Sequence, residues 1–521
     1  MANTIKLGNG NWATKEGSLL AYNDENNNFK PLPFTTTRAS SATVVNKQGL
    51  IETVGSGIPR IDFSDDANGA LLLEPTATNI IPYSENFTNV AWSKARATIQ
   101  GDPSTAGAEQ VTNGDFATDS DWVKSGGAEI TVQGGRIYSS SGGVSSLDQP
   151  HIMVVGKKYK LTFDVIATNG TKLSNPNNTN IYDTSTIGSK VFYITAQYHT
   201  LYLKRYTGIT DITIDNVSIK EVQGFASPDD SLTAYKLIAT SVSGAHQTKE
   251  TLTAVSGDYT FSVFTKKGEY KNVLIWDDTL NGGVGVNLDD LSIFRDVNNQ
   301  GYKIEDYGND WIRISVNYTY TAQVPQNGVY TYDNSATPQL EFAGNDVDGL
   351  YIWGAQLEEN SYASSYIKTV GTTQTRVYDY ASLLNLDTNN LVTNSGSWTV
   401  LFELELLSND SPMDKIRLTD AWGNPRAYLY NRSMGISGTD WTSGTIISNK
   451  TNNKIIYRAN STQSVTAFKN GVNAVTMTSP ASAITFNRIV FDGRNGAFKI
   501  KQMQVFNTTL SDTECINLTT I

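Results

Sequence analysis

The feature that most constrains the fold of this chain is an alternation of apolar and polar residues with a period of two. Runs with this pattern include Tyr159–Ile166 (YKLTFDVI), Tyr259–Thr265 (YTFSVFT), Trp311–Val316 (WIRISV) and Trp398–Leu406 (WTVLFELEL). Such alternation indicates strands that bury one face and expose the other. Asn-Gly pairs, which favour hairpin turns, punctuate the sequence. We therefore predict an all-β protein of several β-sandwich (jelly-roll) domains in series.

Helical patterns are nearly absent, and we predict one short helix at Ser511–Leu518 (SDTECINL). Ser511 is expected to cap its N-terminus, because Glu514 follows three residues later and completes a capping box. Cys515 is the only cysteine of the chain and falls within this helix. A single cysteine excludes an internal disulfide, and we expect its thiol to pack as a small apolar group.

The charge balance narrows the range of partners. The 521 residues carry a formal net charge of −11, and no run rich in Lys or Arg is present. Nucleic-acid binding requires such a basic surface, so we expect no nucleic-acid partner. No apolar stretch approaches the roughly 18 residues of a membrane span, and the first ten residues do not resemble a secretory signal. We expect no membrane partner and synthesis without a signal peptide.

Six short segments of the sequence, which we call phrases, follow one another in a recognisable order. They are Thr37–Val54 (TRASSATVVNKQGLIETV), Pro59–Phe63 (PRIDF), Ala70–Ile81 (ALLLEPTATNII), Tyr83–Trp92 (YSENFTNVAW), Gly349–Glu358 (GLYIWGAQLE) and Tyr362–Thr369 (YASSYIKT). In this order they resemble a module of bacteriophage structural and head- or tail-fibre proteins. In that family the phrases bracket a β-sandwich of the carbohydrate-binding-module type. The resemblance implies such a domain over residues 37–107 and 224–376.

A second sandwich is expected as an insertion at 108–223. Its opening, Val111–Lys124, and its closing, Ile212–Val222, resemble a galactose-binding-like jelly roll. The sequence supports the nesting, because Phe87 followed by Trp92 in the outer domain parallels Phe116 followed by Trp122 in the insertion. Insertions are tolerated where the ends of an exposed loop lie close together.

The two ends of the chain differ from the middle. Residues 377–521 resemble a concanavalin/laminin-G-like jelly roll, through Ser397–Leu406 and Phe498–Leu518. Residues 1–36 are rich in Asn and Gly and end in Pro31-Leu32-Pro33. We weigh two interpretations for this segment: a tail that becomes ordered only on a partner, and an N-terminal segment that anchors the protein to a larger assembly.

The resemblance to phage proteins implies a virion protein, made in the cytoplasm of the host bacterium. It would be a subunit of a head or tail fibre (spike) that decorates the particle and contacts host or mucosal glycans. Residues 1–36 would attach it to capsid, neck or tail proteins, and phage fibres of this kind imply a homotrimer. Two alternatives remain open: a phage-encoded polysaccharide depolymerase, and a purely structural capsid or neck protein that binds no glycan.

Catalytic and metal-binding patterns are weak. The three histidines, His151, His199 and His246, do not fall at metal-ligand spacing, and no nucleophile motif is present. We expect a protein without enzymatic activity and without a required cofactor; His246 is expected to pack at the end of a strand. The resemblance to carbohydrate-binding modules implies a structural calcium site to which Asp215 would contribute.

Glycan binding requires an exposed aromatic ring with polar groups around it. The candidates are tryptophans in polar, loop-like contexts, with their neighbours: Trp276, Asp277, Asp278, Trp422, Asn424, Arg426 and Trp441. The other tryptophans singled out lie in strand phrases, and we expect them in the cores: Trp92, Trp122, Trp311, Trp353 and Trp398.

Overall fold

The computed structural model describes residues 5–15, 17–20, 33–101, 106–155, 157–222, 224–386, 397–407, 414–420, 425–430, 433–436, 451–461, 463–478 and 486–521. These residues form antiparallel sheets almost throughout, which confirms the predicted all-β fold. The chain divides into a large unit, Met1–Thr98 with Pro228–Asp230 and Leu237–Ile521, and an inserted unit, Ile99–Ser227 with Ser231–Lys236. The chain passes between the units within strands Ala97–Gln100 and Tyr235–Ala239. Among the described residues, no helix is both long and apolar enough to cross a bilayer.

The inserted unit is a sandwich of two antiparallel sheets. The strands of the first, in spatial order, are Glu129–Thr131, Gly134–Ser139, Thr210–Val222, Lys158–Thr168 and Gly188–Thr195, and Ala106–Glu109 also pairs with Thr210–Val222. Those of the second are Val123–Ser125, Ser146–Gln149, Leu201–Arg205, Leu173–Ser174 and Ile181–Tyr182. Strand Lys158–Thr168 buries alternate side chains over most of its length, as the period of two predicts. The core takes side chains from both sheets: Ile137, Leu161, Phe163, Leu147, Leu201 and Leu203.

One sandwich of the large unit is built around the C-terminal part of the chain. Its first sheet has the order Val472–Thr478, Ser464–Lys469, Asn452–Ser461, Thr399–Leu406, Phe498–Phe506, Ala70–Leu73 and Ile61–Asp62, and Ile5–Gly8 also pairs with Phe498–Phe506. Its second sheet has the order Ala13–Lys15, Ser18–Leu20, Pro33–Thr37, Tyr380–Leu383, Arg488–Asp492, Asp414–Thr419, Pro425–Tyr430 and Ser433–Ile436. Side chains of both sheets form one hydrophobic core.

The N-terminal segment belongs to this C-terminal sandwich in its described part. Ile5–Gly8 pairs with the last strand of the chain, and Ser18–Leu20 pairs with Pro33–Thr37. Ile5 and Leu19 are buried in the shared core. The described residues of the expected anchoring segment are thus strands of the sandwich and not a separate element; attachment of residues 1–36 to a virion stays a prediction.

The second sandwich of the large unit includes Trp92 and the phrase Gly349–Glu358. One sheet has the order Trp92–Ala95, Gly244–Thr251, Gln326–Tyr332, Asn272–Asp277, Gly282–Asn287 and Ile293–Val297, and Glu341–Phe342 also pairs with Gly244–Thr251. The facing sheet runs from Tyr235–Ala239 through Gly349–Glu358, Val255–Lys266 and Trp311–Gln323 to the edge strand Tyr302–Asp306. Two short ribbons complete the unit: Ala42–Val45 with Ile51–Val54, and Ala77–Asn79 with Gln374–Arg376.

The parallel between the outer and inserted sandwiches is confirmed at their tryptophans. Trp92 Nε1 donates to Tyr83 O over 2.9 Å, and the ring packs on Phe87 with centroids 4.7 Å apart. Trp122 Nε1 donates over 2.9 Å to the carbonyl oxygen of residue 113, again nine residues earlier, and packs on Phe116 at 5.1 Å. The two sandwiches therefore begin with the same local structure.

The predicted C-terminal helix is also confirmed, and it spans Asp512–Thr519. Glu514 N donates to Ser511 Oγ over 3.3 Å and Ser511 N donates to Glu514 Oε2 over 2.8 Å, which is the predicted capping box. Cys515 is fully buried in a small cluster with Leu401 and Phe468. A single-turn 3-10 helix at Gly493–Asn495 is the other helical element among the described residues.

Candidate functional site

The large unit contains a cleft of about 440 Å³, a volume in the range of ligand pockets. Edge strand Tyr302–Asp306 contributes to the lining, as does the segment 361–366. Asp65, Glu405 and Lys499 contribute charged side chains. We refer to this region as the cleft below.

The edge strand supplies an exposed aromatic ring. Tyr302–Asp306 pairs on one side with Trp311–Gln323 and has no further strand beyond it within the described sheet. Tyr302 is 39% exposed. On the same strand, Lys303 Nζ donates to Glu305 Oε1 over 2.6 Å. A cleft lined by a tyrosine and by carboxylates offers an apolar ring face together with hydrogen-bond acceptors.

Lys499 carries a buried positive charge into the cleft. Its Nζ lies 2.7 Å from Asp62 Oδ2 and 2.8 Å from Asp65 Oδ1. Burial alone lowers the pKa of Lys499, but the two carboxylates outweigh burial and hold that pKa above its usual value. The lysine therefore stays charged and fixes the Asp62–Asp65 turn against strand Phe498–Phe506.

Glu405 lies next to Lys499 on the neighbouring strand, where the two residues are direct cross-strand partners. Burial raises the pKa of Glu405 above its usual value, and the negative charge of Asp65 raises it further, while Lys499 and Lys501 oppose the shift. Lys501 Nζ lies 4.0 Å from Glu405 Oε2. Glu405 is thus a carboxyl group that takes up a proton more readily than an exposed glutamate.

Arg313 is a rigid part of the cleft lining. This side chain is almost fully buried, and its Nη1 donates to Ser364 O over 2.7 Å while Nη2 donates to Ser262 Oγ over 2.9 Å. Its guanidinium lies over the ring of Phe264, 5.3 Å from the centroid. Tyr307 packs edge-on against the same ring at 4.9 Å, and burial raises the pKa of the Tyr307 phenol. Fixed side chains of this kind keep a cleft preformed.

A buried cluster of three arginines and two carboxylates adjoins the cleft; we call it the arginine cluster and define it as Arg38, Arg60, Glu74, Arg376 and Asp379. Arg60 Nη1 lies 2.7 Å from Glu74 Oε2, and Arg60 also binds Asp379. Arg38 Nη1 lies 2.9 Å from Asp379 Oδ1, and Arg376 Nη2 lies 3.5 Å from Glu74 Oε2. Burial opposes ionisation of Glu74, but Arg376 and Arg60 hold its pKa below the usual range. The cluster therefore remains ionised inside the protein.

Four of the six phrases meet at this arginine cluster. Arg38, Arg60 and Glu74 come from three of the N-terminal phrases, and Ser365 from the last one donates its backbone N–H to Glu74 Oε1 over 2.9 Å. Asp379, from the C-terminal sandwich, accepts a hydrogen bond from Glu74 N over 3.0 Å. These four phrases thus share a structural role, which is to hold the segment around Ser365 against the ends of strands Ala70–Leu73 and Tyr380–Leu383.

The predicted glycan-binding residues of the sandwich core do not form an exposed platform. Trp276 lies in strand Asn272–Asp277, not in a loop, and is 6% exposed, with the guanidinium of Arg295 4.7 Å above its ring. Asp277 is buried and accepts hydrogen bonds from Gln326 N and Tyr320 Oη. The prediction that Trp276 lies in a loop is wrong. Its strand is buried on both faces and therefore lacks the alternation that marks a half-buried strand. The polar residues that suggested a loop, Asp277 and Asp278, stand only at the end of this strand.

The two other predicted glycan-binding residues that the structure describes, Asp278 and Arg426, bind side chains of the protein. Asp278 accepts hydrogen bonds from Lys249 Nζ and Tyr330 Oη. Arg426 lies in strand Pro425–Tyr430, and its Nη2 is 2.7 Å from Asp420 Oδ2. The remaining candidates lie outside the described residues: Trp422, Asn424 and Trp441. Glycan binding by this group stays a prediction.

Asp215 lies in strand Thr210–Val222 and accepts a hydrogen bond from Asn216 N over 2.8 Å. Among the described residues, no group of three or more His, Cys, Asp or Glu side chains is placed to hold a metal ion. The calcium site implied for Asp215 stays a prediction.

The expected core residues are confirmed. The five tryptophans of the strand phrases are all buried: Trp92, Trp122, Trp311, Trp353 and Trp398. His246 is buried in strand Gly244–Thr251 and hydrogen-bonds with Arg96 O and with Phe342 O through its two ring nitrogens. A packing role for His246 is thereby confirmed.

The sequence contains one local signal for the cleft. Tyr302 falls in a polar stretch, Gly301–Asp306 (GYKIED), that reads as a short edge strand with charged side chains. The remaining cleft residues are distant in sequence, since Asp65, Glu405 and Lys499 meet through the pairing of strands. Local patterns do not report such long-range convergence.

Comparison with known protein families and with curated proteins gives no match. Among solved structures, the chain is similar to Trypanosoma rangeli sialidase in complex with 2,3-difluorosialic acid, a covalent intermediate, at 9% identity and a TM-score of 0.22, over 99% of this chain and 98% of the other. A second similar structure is Trypanosoma rangeli sialidase in complex with the inhibitor DANA, at 9% identity and a TM-score of 0.23 over the same shares.

These structures correct one expectation. Both are enzymes, which contradicts the expectation of a protein without enzymatic activity, and that expectation is not retained. TM-scores of 0.22 and 0.23 assign neither the fold nor the activity of these enzymes to this chain.

Proposed function

We propose that this protein is a structural component of a bacteriophage virion, a subunit of a head or tail fibre, and that it contacts surface glycans through the cleft. The observation that carries the glycan contact is that the exposed Tyr302 and several carboxylates line the same cleft. Sugars are recognised by an aromatic face together with acceptors and donors for their hydroxyl groups. The virion role is supported by the six ordered phrases.

The fibre arrangement extends this proposal. Three copies of the 56.9 kDa chain would form a homotrimer, and residues 1–36 would contribute the contact with capsid, neck or tail. Several weak glycan sites on one particle raise its overall affinity for a surface by orders of magnitude. One cleft of modest affinity in each chain is therefore sufficient for attachment, because several chains on one particle bind together.

The glycan contact is tested with the purified full chain and polysaccharide from the surface of the host bacterium. We expect the protein to co-elute with the polysaccharide in size-exclusion chromatography with light scattering, and Tyr302→Ala to weaken co-elution about tenfold. Tyr193→Ala is the matched control, because Tyr193 is a comparably exposed strand tyrosine outside the cleft, with 42% exposure. Equal loss in both variants, or in neither, contradicts the role of the cleft.

The same chromatograms report two further properties. The protein alone should elute at three times the mass of one chain if the homotrimer forms in solution. A polysaccharide peak that shortens with time in the wild type, and not in Tyr302→Ala, would show that the cleft cleaves the polymer it binds.

The virion role is tested independently of the glycan contact. Antibodies against the purified protein should label phage particles from a lysate of the bacterium that carries the gene, at one fixed position on the head or tail. Absence of the chain from purified particles by mass spectrometry would contradict the virion role and leave the glycan contact unaffected.

A further inference from the structure

The charges that line the cleft are unequal in number. Six of the described lining residues are acidic, namely Asp62, Asp65, Glu74, Glu305, Asp306 and Glu405. Three are basic, namely Lys303, Arg313 and Lys499. The ligands that the cleft accepts therefore depend on how much of this negative charge is neutralised by neighbouring groups.

Most of the acidic residues are neutralised by close ion pairs. Asp62 and Asp65 share Lys499, and Glu305 pairs with Lys303 at 2.6 Å. Glu74 belongs to the arginine cluster, which supplies its counter-charges. None of these carboxylates contributes a strong unbalanced charge.

The negative charges of two carboxyl groups of the lining are not neutralised by a close ion pair. Asp306 accepts a hydrogen bond from Gly308 N over 2.7 Å and makes no ion pair among the described residues. Glu405 has its nearest cation, Lys501 Nζ, at 4.0 Å. The two lysines of the lining are held in ion pairs, Lys303 with Glu305 and Lys499 with Asp62 and Asp65. Arg313 is buried, and its Nη1 and Nη2 donate to Ser364 O and Ser262 Oγ.

We infer that the cleft selects uncharged glycans and discriminates against those that bear carboxylate, sulfate or phosphate groups. This inference rests on the proposed function and specifies its ligand. An acidic sugar would bring its negative charge towards Asp306 and Glu405, where like charges repel, and would find Lys303 and Lys499 already paired and Arg313 buried. A neutral sugar instead donates its hydroxyl hydrogens to these carboxylates, which makes charge-assisted hydrogen bonds.

The experiment uses a glycan array that prints each neutral oligosaccharide beside its sialylated, sulfated and uronate-bearing derivatives. We expect the wild-type full chain to bind neutral members at least about tenfold more strongly than their acidic derivatives. The ratio should fall as sodium chloride is raised from 0.05 to about 0.5 M, because salt screens partly exposed charges.

Two variants report the source of the selectivity. The double substitution Asp306→Asn with Glu405→Gln keeps an acceptor oxygen at each position and removes both charges, so the ratio of neutral to acidic binding should fall to about threefold or less. Glu359→Gln, an exposed glutamate that does not line the cleft, is the matched control and should leave the ratio as in the wild type. The fluorescence of the buried tryptophans checks that each variant is folded.

The outcomes separate this inference from the proposed function. Binding of acidic derivatives as tight as or tighter than that of neutral glycans, when lost in Tyr302→Ala, overturns the selectivity and leaves the glycan contact in place. A ratio that the double substitution does not change also overturns the inference. Failure of every printed glycan to give Tyr302-dependent binding overturns the glycan contact itself, and the selectivity with it.

Discussion

The guanidinium of Arg60 donates to Glu74 Oε2 over 2.7 Å, and both side chains are almost completely buried. Arg60 also binds Asp379 of the C-terminal sandwich, and Nη1 donates to Ser365 Oγ over 2.7 Å. One arginine thus contacts side chains that lie as far as 319 residues away in the sequence. Glu74 itself lines the cleft, and the arginine cluster keeps in place the neighbouring segments that line it.

Removal of this arginine should be costly. Arg60→Met leaves Glu74 and Asp379 with fewer counter-charges inside the protein, and breaking a buried pair on one side costs about 3–5 kcal/mol. We expect a lower unfolding temperature in scanning calorimetry, in the transition that belongs to the large unit.

A matched control for this substitution is available in the inserted unit. Arg136 pairs with Asp211 and Glu129 at the surface, where ion pairs contribute about 1 kcal/mol or less. Arg136→Met should change the unfolding temperature little. Equal effects of the two substitutions would contradict a special role of the arginine cluster.

The stability of the large unit should depend on pH through Glu250. This residue is buried in strand Gly244–Thr251, and burial raises its pKa from 4.5 to about 7. Because the folded pKa is the higher one, the stabilisation is fully present below about pH 4.5 and is lost as the pH rises through 7. Glu250→Gln should remove this dependence, so that the variant gains unfolding temperature relative to the wild type at pH 8 but not at pH 4.5.

Thermal unfolding between pH 4.5 and 8 checks this prediction. Glu359→Gln, at an exposed position, serves as the control and should follow the wild-type curve. A Glu250→Gln variant that runs parallel to the wild type over the whole range would show that Glu250 does not titrate in this window.

The two equivalent tryptophans should stabilise their own units. Trp122→Ala removes a buried ring and its hydrogen bond to Asn113 O, which we expect to cost about 3–5 kcal/mol. Hydrogen exchange followed by mass spectrometry should then show faster exchange in strands of the inserted unit, such as Lys158–Thr168. Trp92→Ala should have the corresponding effect in Gly244–Thr251. Faster exchange throughout the chain in either variant would contradict two independently stabilised units.

The single thiol should be unreactive in the folded protein. Burial raises the pKa of Cys515 to about 11, so the thiolate, which is the reactive form, is scarce at pH 8. We expect almost no reaction with a disulfide reagent under native conditions and reaction of one thiol per chain in guanidinium chloride. Rapid native reaction would show that the C-terminal helix opens readily.

Much of the fold could be predicted from local patterns. The alternation in Lys158–Thr168 matches its burial, and the parallel between Trp92 and Trp122 predicted a local structure that recurs with the same hydrogen bond. The Ser511 capping box placed the helix to within one residue. These features succeed because the residues that determine them are neighbours along the chain.

The cleft could not be predicted in the same way. Tyr302 and Glu305 belong to the same short strand. Asp65, Glu405 and Lys499 join them in the lining of the cleft only after several strands have paired. Trp276 was misjudged for a related reason, since its strand is buried on both faces and Arg295 covers its ring from elsewhere in the sheet. Burial and long-range convergence depend on the complete fold, which a sequence window does not contain.

The pairing of Ile5–Gly8 with Phe498–Phe506 has a consequence for synthesis. Ile5 pairs with Val505, about 500 residues later, so this strand cannot form its pairing until the ribosome has made the residues around 505. The inserted unit is almost continuous in sequence and can fold as soon as it emerges, since domains generally fold as units. During translation, Ile5–Gly8 therefore stays unpaired until Phe498–Phe506 has been made. We expect this sandwich to form late and its formation to be the step of biogenesis that is sensitive to aggregation.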